Sequence, residues 1–204
     1  MHQKRSTVSK KVPIPRKGTA YVARPLSHLD DSITVLAAVR DMLKLARTTR
    51  EVKYLIHNKL LKINGREVKD YRESLKLFNI LEAGKNYVLS LTLHGRFSLH
   101  ETKEKNRLCK VINKKLLSGK KIQLNLHDGS NILSEDKIQT NDSVYLDSAG
   151  KISKHVSFEK GKPCFVISGK YIGRNGSIKS VGGKVSVSLD DSSVELPKEC
   201  VIVQ

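Results

Sequence analysis

The stretch GKYIGRNGSIKSVGGKVSVSL, residues 169–189, decides between two folds. Its glycines could form the phosphate-binding loop of a nucleotide enzyme, or they could form turns between strands. A dinucleotide-binding loop leads from a strand through glycines into a helix, because the helix N-terminus holds the phosphate. The residues after Gly176 instead alternate between polar and apolar and then turn at Gly182–Gly183. This pattern predicts antiparallel strands, with Gly169, Gly173 and Gly176 at positive-φ positions of a tight loop.

The spacing of these glycines also argues against a nucleotide site. The pattern G-x-x-x-G-x-x-G differs from G-x-G-x-x-G, and Lys170 does not occupy the lysine position of a P-loop. Lys170 and Arg174 could instead meet an RNA backbone, although basic residues on a solvated loop are equally well explained by solubility.

Apolar and polar residues alternate with a period of two over most of the chain after the dipeptide Asn64–Gly65. The segments YVLSLTLHGRFSLH (87–100) and RLCKVINKKL (107–116) are examples, and glycine turns separate several such segments. Short strands spaced in this way are typical of small antiparallel barrels.

Before that dipeptide the period is helical. Val35, Val39 and Leu43 lie on one apolar face and predict a helix over residues 29–46. Thr48 with Glu51 forms a capping box that predicts the start of a second helix. Asn64–Gly65 then predicts a tight hairpin.

The charge points to a polyanionic partner. Lys and Arg number 38 against 20 Asp and Glu, which gives a net charge of +18. This balance favours nucleic acid over a membrane surface, since no basic helix with a bulky apolar face is evident. Residues 1–26 are basic, contain no acid and include three prolines. We expect them to form an extended arm without a fold of its own, either disordered or ordered on RNA, whose removal would leave the rest folded.

Catalytic and metal-binding patterns are weak. His127–Asp128 is the best catalytic-looking pair, but adjacent strand residues point to opposite faces, so we interpret His127 as structural. Cys109, Cys164 and Cys200 are too far apart in sequence for a metal knuckle and are expected to be reduced thiols. The sequence therefore predicts no enzyme, no cofactor, no metal site, no small-molecule substrate and no membrane segment.

Several segments resemble a known family. MHQKRSTVSKKVPIPRKG (1–18), REVKYLIHNKLLKINGREVKDY (50–71), KIQLNLHDGSNIL (121–133) and FEKGKPCFVISGKYIGRNGSI (158–178) occur in this order. They resemble the small-subunit ribosomal protein "S-four-e" family of archaea and eukaryotes. The helix–helix–hairpin segment resembles the wider S-four-type RNA-binding domain, and residues 161–181 resemble a KOW motif. One departure is Asn58–Lys59, which lacks the glycine usual in the family before the hairpin.

The resemblance implies an α+β fold with four parts. These are a basic extended arm over residues 1–26, a two-helix-plus-hairpin S-four-like domain over 27–92, a central β domain over 93–156, and a KOW-type, Src-homology-three-like barrel over 157–204.

The resemblance also implies a function. The protein would be a structural constituent of the small ribosomal subunit in the cytoplasm, with small-subunit rRNA and neighbouring ribosomal proteins as partners. The alternative is a KOW-type RNA-binding transcription or translation factor. The predicted RNA-binding residues are Lys4, Arg5, Lys10, Lys11, Arg16 and Lys17 in the arm, Arg47, Arg50, Lys53, Lys62, Arg66 and Lys69 in the S-four-like segment, Lys114, Lys115, Lys120 and Lys121 in the central domain, and Lys170 and Arg174 in the glycine loop. Since aromatic residues are only 5% of the chain, we expect contacts to the RNA backbone rather than stacking on single-stranded bases.

Overall fold

The computed structural model describes residues 2–117, 121–134, 137–189 and 192–204. The chain forms two compact units, residues 1–105 and 106–204. Strands dominate both units, and within the described residues the helical elements lie in the first unit apart from a short 3₁₀ turn at Lys198–Cys200. The architecture is α+β with mainly antiparallel sheet.

The strands are numbered in chain order. In the first unit they are β1 His2–Lys4, β2 Tyr21–Ala23, β3 Ser32–Thr34, β4 Lys62–Ile63, β5 Arg66–Glu67, β6 Ser74–Lys76, β7 Ile80–Ala83, β8 Lys85–Leu91 and β9 Phe97–Thr102. In the second unit they are β10 Arg107–Leu116, β11 Ile122–Leu126, β12 Asn131–Ser134, β13 Ser143–Leu146, β14 Ile152–Val156, β15 Pro163–Val166, β16 Asn175–Val181, β17 Val185–Leu189, β18 Ser192–Leu196 and β19 Val201–Val203.

The first unit is built on a five-stranded sheet with the order β5-β4-β7-β8-β9. Two short pairs, β1 with β2 and β3 with β6, accompany it. The predicted hairpin is confirmed, because β4 and β5 pair around Asn64 and Gly65, which have φ of 53° and 81°. Two positive φ angles in succession are the geometry that the Asn-Gly dipeptide favours.

The first predicted helix is much shorter than residues 29–46. Ser32–Thr34 is a strand paired with β6, and the chain becomes helical only from Val35, ending in a π-type turn at Ala37–Met42. The Thr34 hydroxyl accepts a hydrogen bond from the Ala37 amide at 3.2 Å, which marks the start of the turn. Lys44 adopts a left-handed φ of 55° and stops it from continuing. The apolar period was interpreted correctly as a buried face, but it did not reveal the strand pairing.

The second helix, α1, spans Thr49–His57 and begins at the predicted capping box. The Thr48 hydroxyl accepts from the Glu51 amide at 3.2 Å, and the Glu51 carboxylate accepts from the Arg47 amide at 2.8 Å. The hydrogen bonds that the carboxylate accepts from the Arg47 amide and the Thr48 hydroxyl hold the pKa of Glu51 below its usual value. Val52 is fully buried and anchors the helix on the first unit.

The N-terminal segment is folded, which differs from the expected free arm. Strand β1 pairs with β2, so residues 2–23 form a closed loop. The Arg5 guanidinium ties this loop together by donating to the carbonyls of Pro15 at 2.6 Å and Thr19 at 2.7 Å. The Lys11 carbonyl accepts from the Phe97 amide at 2.7 Å. The segment is therefore part of the first unit, and its removal would expose backbone groups of that unit.

The second unit contains two five-stranded sheets, with the orders β12-β11-β10-β13-β14 and β18-β17-β16-β15-β19. Each sheet encloses its own apolar cluster. Leu124, Val144 and Leu146 lie in the first cluster, and Val166, Val187 and Val201 lie in the second. Alternating residues supply these clusters, as in the burial of β17, where Val185, Val187 and Leu189 point inward.

Two of the three glycines predicted to have a positive φ in the second unit do have one. Gly169 and Gly173 have φ of 89° and 80° between β15 and β16. Gly176 instead lies within β16, and an added Cβ there would lie 2.4 Å from the Ser188 carbonyl oxygen. Gly176 is required by close approach of two strands rather than by a positive φ.

The boundaries of the compact units differ from the expected domain boundaries. Strands β8 and β9 form a hairpin, in which Asn86 pairs with Thr102 at one end and Leu91 with Phe97 at the other. A boundary at residue 92 would separate these two strands. The division instead follows Lys105. Within the described residues, no helix is both long and apolar enough to cross a membrane.

Candidate nucleic-acid interface

The exposed face of α1 carries three basic side chains that the sequence places at helical spacing. Arg50, Lys53 and His57 lie at i, i+3 and i+7 and are all exposed. Residues at these positions share one helix face, opposite the buried Val52. Of these, Arg50 and Lys53 were predicted, whereas His57 was not. The predicted Arg47 is also exposed, directly before the capping residue Thr48.

A groove runs between α1 and the chain that follows β5. Lys53, His57, Lys59, Lys69 and Tyr71 are among the residues that line it. The Lys53 ammonium lies 5.0 Å from the centre of the Tyr71 ring. This cation–π contact fixes the position of the ring and leaves the ammonium exposed on the groove side. The sequence-predicted Lys53 and Lys69 thus meet at one groove, together with His57 and Lys59.

The acidic residues of this groove are paired. The Glu67 carboxylate lies 3.3 Å from the Lys59 ammonium, and the Asp70 carboxylate lies 2.8 Å from the Arg72 guanidinium. The hydrogen bond from Arg72 holds the pKa of Asp70 below its usual value, and the charge of Lys53 adds to this effect. The groove thus presents three lysines, Lys53, Lys59 and Lys69, beside two paired carboxylates.

Glu73 organises the turn that carries Lys69. Its buried carboxylate accepts from the Lys69 amide at 2.7 Å and from the Arg66 guanidinium at 2.6 Å. Arg66 is therefore engaged by Glu73, although its side chain stays 69% exposed. Lys62 is exposed on β4, next to this turn in the hairpin. The sequence showed these cations but gave no sign that a buried carboxylate positions two of them.

Lys59 lines the groove, whereas its sequence position indicates only a departure from the family pattern. It follows α1 with a left-handed φ of 57°. The Lys59 amide donates to the Ile56 carbonyl and the Leu60 amide to the Leu55 carbonyl, which is the Schellman arrangement at a helix end. Glycine is the residue that this position normally favours, since a side chain is strained there. The lysine in place of the usual glycine was thus the one sequence feature that could have identified Lys59 as a site residue.

The cations of the N-terminal segment fall into two groups. Lys4, Lys10, Arg16 and Lys17 are exposed. Arg5 uses its guanidinium within the loop, and Lys11 pairs with Asp31. The exposed group keeps its charges available to a partner, whereas Arg5 and Lys11 have internal roles.

The predicted cations of the second unit lie in three separate places. Lys114 and Lys115 are exposed on β10 and point to opposite faces, because they are adjacent in a strand. Lys121 is exposed just before β11, and Lys120 lies outside the described residues. Lys170 and Arg174 flank the Tyr171 ring, each 5.8 Å from its centre. The second unit therefore carries scattered cations rather than one groove.

The His127–Asp128 pair has a structural arrangement. His127 Nδ1 accepts a hydrogen bond from the Lys110 amide at 3.1 Å. Asp128 is bound by the Arg107 guanidinium at 2.8 Å and by the Ser130 amide at 2.9 Å. Burial alone would raise the pKa of Asp128, but the Ser130 hydrogen bonds and the Arg107 charge outweigh it and lower that pKa. The pair holds a turn, in agreement with the structural interpretation of His127.

The three cysteines are free thiols, and Cys109 and Cys164 are buried. Burial raises the pKa of Cys164 to about 11 and raises that of Cys109 further. Such thiols are poor nucleophiles at neutral pH. In the part of the chain that the structure describes, no group of three or more His, Cys, Asp or Glu side chains could hold a metal ion.

The comparisons with known proteins agree with this basic, non-catalytic surface. The model of the ribosomal family S4e matches residues 83–152. The small ribosomal subunit protein eS4 of Methanocella arvoryzae is 32% identical over 188 residues, which cover 88% of this chain and 80% of that protein. That of Archaeoglobus fulgidus is 35% identical over 187 residues, with the same coverage of both. This chain belongs to the ribosomal S4e family.

The fold of the S4e family accounts for most of this chain. The crystal structure of the 30S ribosomal protein S4e from Thermoplasma acidophilum is similar, with a TM-score of 0.74 and 25% sequence identity. The similarity covers 85% of this chain and 95% of that one. The predicted family and the prediction of a protein without enzymatic activity are thereby confirmed.

Proposed function

We propose that this S4e-family protein is a structural, non-catalytic constituent of the small ribosomal subunit that binds rRNA through its helix–hairpin surface. We define this surface as the exposed face of α1 and the groove beside it. Its cations are Arg50, Lys53, Lys59, Lys62 and Lys69, and His57 is a further basic side chain. The observation that supports the proposal is the convergence of Lys53, Lys59 and Lys69 on one groove whose acids, Glu67 and Asp70, are paired. Arg50 and Lys62 are exposed on α1 and β4.

Backbone recognition is the chemistry that this surface supports best. Lysine is a point charge that suits phosphate oxygens, and a row of such charges follows an RNA backbone without reading bases. The cations come from a helix and from a hairpin, both held by hydrogen bonds to Glu51 and Glu73. Cations held on rigid elements of this kind favour recognition of RNA shape.

The exposed cations outside this surface would add to the affinity. We assign a secondary role to Lys4, Lys10, Arg16 and Lys17 in the N-terminal segment and to Lys114, Lys115, Lys170 and Arg174 in the second unit. A ribosomal protein that contacts rRNA over a broad area uses many weak phosphate contacts. Neighbouring ribosomal proteins would cover part of the remaining surface.

The finer domain assignment follows from the same proposal. We infer that the helical turn Ala37–Met42, α1 and the β4–β5 hairpin form an S-four-like RNA-binding domain. We infer that the sheet β18-β17-β16-β15-β19 is a barrel of the KOW type, and that the sheet of β10 to β14 is the central domain. The tight loop with Gly169 and Gly173 and the close approach at Gly176 support the second inference.

The alternative of a KOW-type transcription or translation factor is not favoured. The relatives that cover most of this chain are small ribosomal subunit proteins. No observation on the described residues requires a partner other than RNA and ribosomal proteins.

Sedimentation of cell lysate through a sucrose gradient tests the proposal. The chain is detected in gradient fractions at low and at moderate salt. We expect it to sediment with the small subunit at both, and to return to the top of the gradient after nuclease digestion of the rRNA. A chain that stays at the top of the undigested gradient, or that sediments with RNA polymerase, would contradict the proposal.

A further inference from the structure

Tyr54 lies in the middle of the exposed face of α1. Its side chain is 66% exposed. In the described part of the chain, neither its ring nor its hydroxyl has a hydrogen-bond or cation partner. The chain has only six tyrosines, four phenylalanines and no tryptophan, so a tyrosine left in solvent stands out against this composition.

Packing of the helix does not require this tyrosine. Val52 is fully buried, and Leu55 and Ile56 are half-buried on the same side of α1. Tyr54 projects from the opposite side, so it adds little to the apolar core that anchors the helix. A single exposed apolar side chain is ordinary on a protein surface. A function of Tyr54 therefore depends on the residues around it.

Basic side chains flank the ring along the helix. Arg50 lies one turn before Tyr54 on the same face, and His57 lies three residues after it. Lys53 lies beside it toward the groove. Each nucleotide of single-stranded RNA carries one phosphate and one base. A stripe in which an aromatic ring lies between basic side chains can therefore contact one base and the phosphates on either side of it.

We propose that Tyr54 stacks on one unpaired nucleobase of the rRNA, while Arg50 and His57 hold the flanking phosphates. The inference rests on the proposed function and adds to it one base contact within a surface that otherwise binds the backbone. One exposed ring provides a single stacking position, so the site takes one extruded or terminal base rather than a run of bases. Its recognition is independent of base identity, since every base has a π face.

Binding of a small-subunit rRNA transcript to three variants tests the stacking. We expect Tyr54→Phe to bind like the wild type, because the ring is retained. We expect Tyr54→Leu and Tyr54→Ala to lose about five- to a hundredfold in affinity. The slope of affinity against salt concentration should stay unchanged in all three, because no phosphate contact is removed. Thermal unfolding of each variant checks that the fold is intact.

The outcomes separate this inference from the proposed function. If the wild type binds the transcript and Tyr54→Ala binds equally well, the stacking site is wrong and the backbone surface stands. If affinity falls by equal steps from Tyr54→Phe to Tyr54→Leu and from Tyr54→Leu to Tyr54→Ala, it follows the size of the apolar side chain. Apolar contact rather than stacking is then responsible, which also overturns the inference. A wild type that neither binds rRNA nor sediments with the small subunit defeats the proposed function itself.

Ultraviolet cross-linking of small subunits purified from cells provides a second test that needs no variant. Tryptic cleavage after Lys53 and Lys59 releases the peptide YLIHNK, residues 54–59. We expect a nucleotide adduct on this peptide, located at Tyr54 by fragmentation. Adducts on peptides of the groove without any on Tyr54 would overturn the inference. An abasic substitution at the cross-linked nucleotide should remove the difference between wild type and Tyr54→Ala.

Discussion

The ammonium group of Lys110 lies 2.7 Å from the carbonyl oxygen of Val201, which is 91 residues further along the chain. The same ammonium also donates to the carbonyl of Lys198. Lys110 is buried on β10. Lys198 lies shortly before β19, and Val201 is the first residue of that strand. One side chain thus joins the central sheet of the second unit to its last strand, although burial lowers the pKa of Lys110 to about 8.

The shifted pKa of Lys110 predicts an unusual pH dependence of stability. The folded value of about 8 lies below the ordinary value of 10.5, so the unfolded chain binds more protons between these two values. Stability from this group therefore rises with pH across that window, by at most about 3 kcal/mol.

Urea unfolding of the wild type and of Lys110→Met measures this contribution. The difference in free energy of unfolding between the two proteins should move in favour of the wild type as the pH rises from about 8 to about 10.5. Using the variant as reference cancels the titration of other groups. A difference that stays constant over this range would show that Lys110 is not buried as described.

The buried pair Arg107–Asp128 predicts a large loss of stability when one partner is removed. The two groups lie 2.8 Å apart with side chains only 14% and 3% exposed. Asp128→Asn leaves the Arg107 charge buried and unpaired, so we expect a loss of about 3–5 kcal/mol. Because the pKa of Asp128 is lowered, the wild-type advantage should be complete at neutral pH and disappear as acid protonates the folded carboxyl.

Glu101→Gln is the matched control for this buried pair. Its ion pair with Lys85 has a similar distance of 3.0 Å, but both side chains are more than half exposed. We expect a change of less than about 1 kcal/mol, since solvent screens such pairs. Equal losses from Asp128→Asn and Glu101→Gln in urea unfolding would contradict the burial of the Arg107–Asp128 pair.

Local sequence signals predicted the local structure of this chain well. The Asn64–Gly65 turn, the capping of α1 by Thr48 and the inward residues of β17 depend on neighbours within a few positions. Pairing between distant segments was missed. Strand β3 pairs with β6, and the amide of Phe97 bonds to Lys11, and neither contact has a local pattern that identifies it.

In the candidate site, too, local features could be predicted from the sequence and long-range contacts could not. The cations of α1 and the hairpin could be identified by helical spacing and by the turn dipeptide. Their arrangement around one groove depends on Glu73, whose buried carboxylate holds Lys69 and Arg66 from a later part of the chain. The sequence offered no way to separate Arg5, which closes its own loop, from exposed cations such as Lys4.

The close approach at Gly176 predicts that even one methyl group is harmful there. A Cβ would lie 2.4 Å from the Ser188 carbonyl oxygen and 2.8 Å from the Leu189 side chain. Gly176→Ala should therefore separate β16 from β17 and lower the free energy of unfolding by about 1–3 kcal/mol or more. Gly183→Ala is the control, because nothing lies within 4 Å of its Cβ, and it should change stability by less than about 0.5 kcal/mol. Thermal unfolding with equal midpoints for both variants would contradict the close approach.

The left-handed conformation of Lys59 predicts opposite changes in stability and in RNA affinity. Lys59→Gly relieves the strain at φ of 57° and should stabilise the protein by about 0.5–1 kcal/mol. The lost ion pair with Glu67 is exposed and offsets little of this gain. The same change removes a cation from the groove, so affinity for an rRNA transcript should fall. Lys59→Asn is the control, because asparagine also tolerates this conformation without a charge, and it should weaken RNA binding to the same degree.

Charge reversal on α1 tests the helix–hairpin surface directly. Arg50→Glu combined with Lys53→Glu should weaken binding of an rRNA transcript and reduce the slope of log affinity against log salt by about one to two, because about two phosphate contacts are lost. Both side chains are exposed, so the fold should be retained. Lys53 also loses its contact with the Tyr71 ring, which is worth only about 0.5–1 kcal/mol at an exposed site.

A double variant elsewhere separates a local contact from a general effect of net charge. Lys151→Glu combined with Lys160→Glu changes the net charge by the same amount at two exposed positions of the second unit that are outside every predicted contact. Long-range attraction alone would make both double variants bind equally weakly, with the same reduction in slope. If α1 contacts the rRNA backbone, only the variant with Arg50 and Lys53 reversed shows the reduced slope, because counterions are released where phosphates are bound.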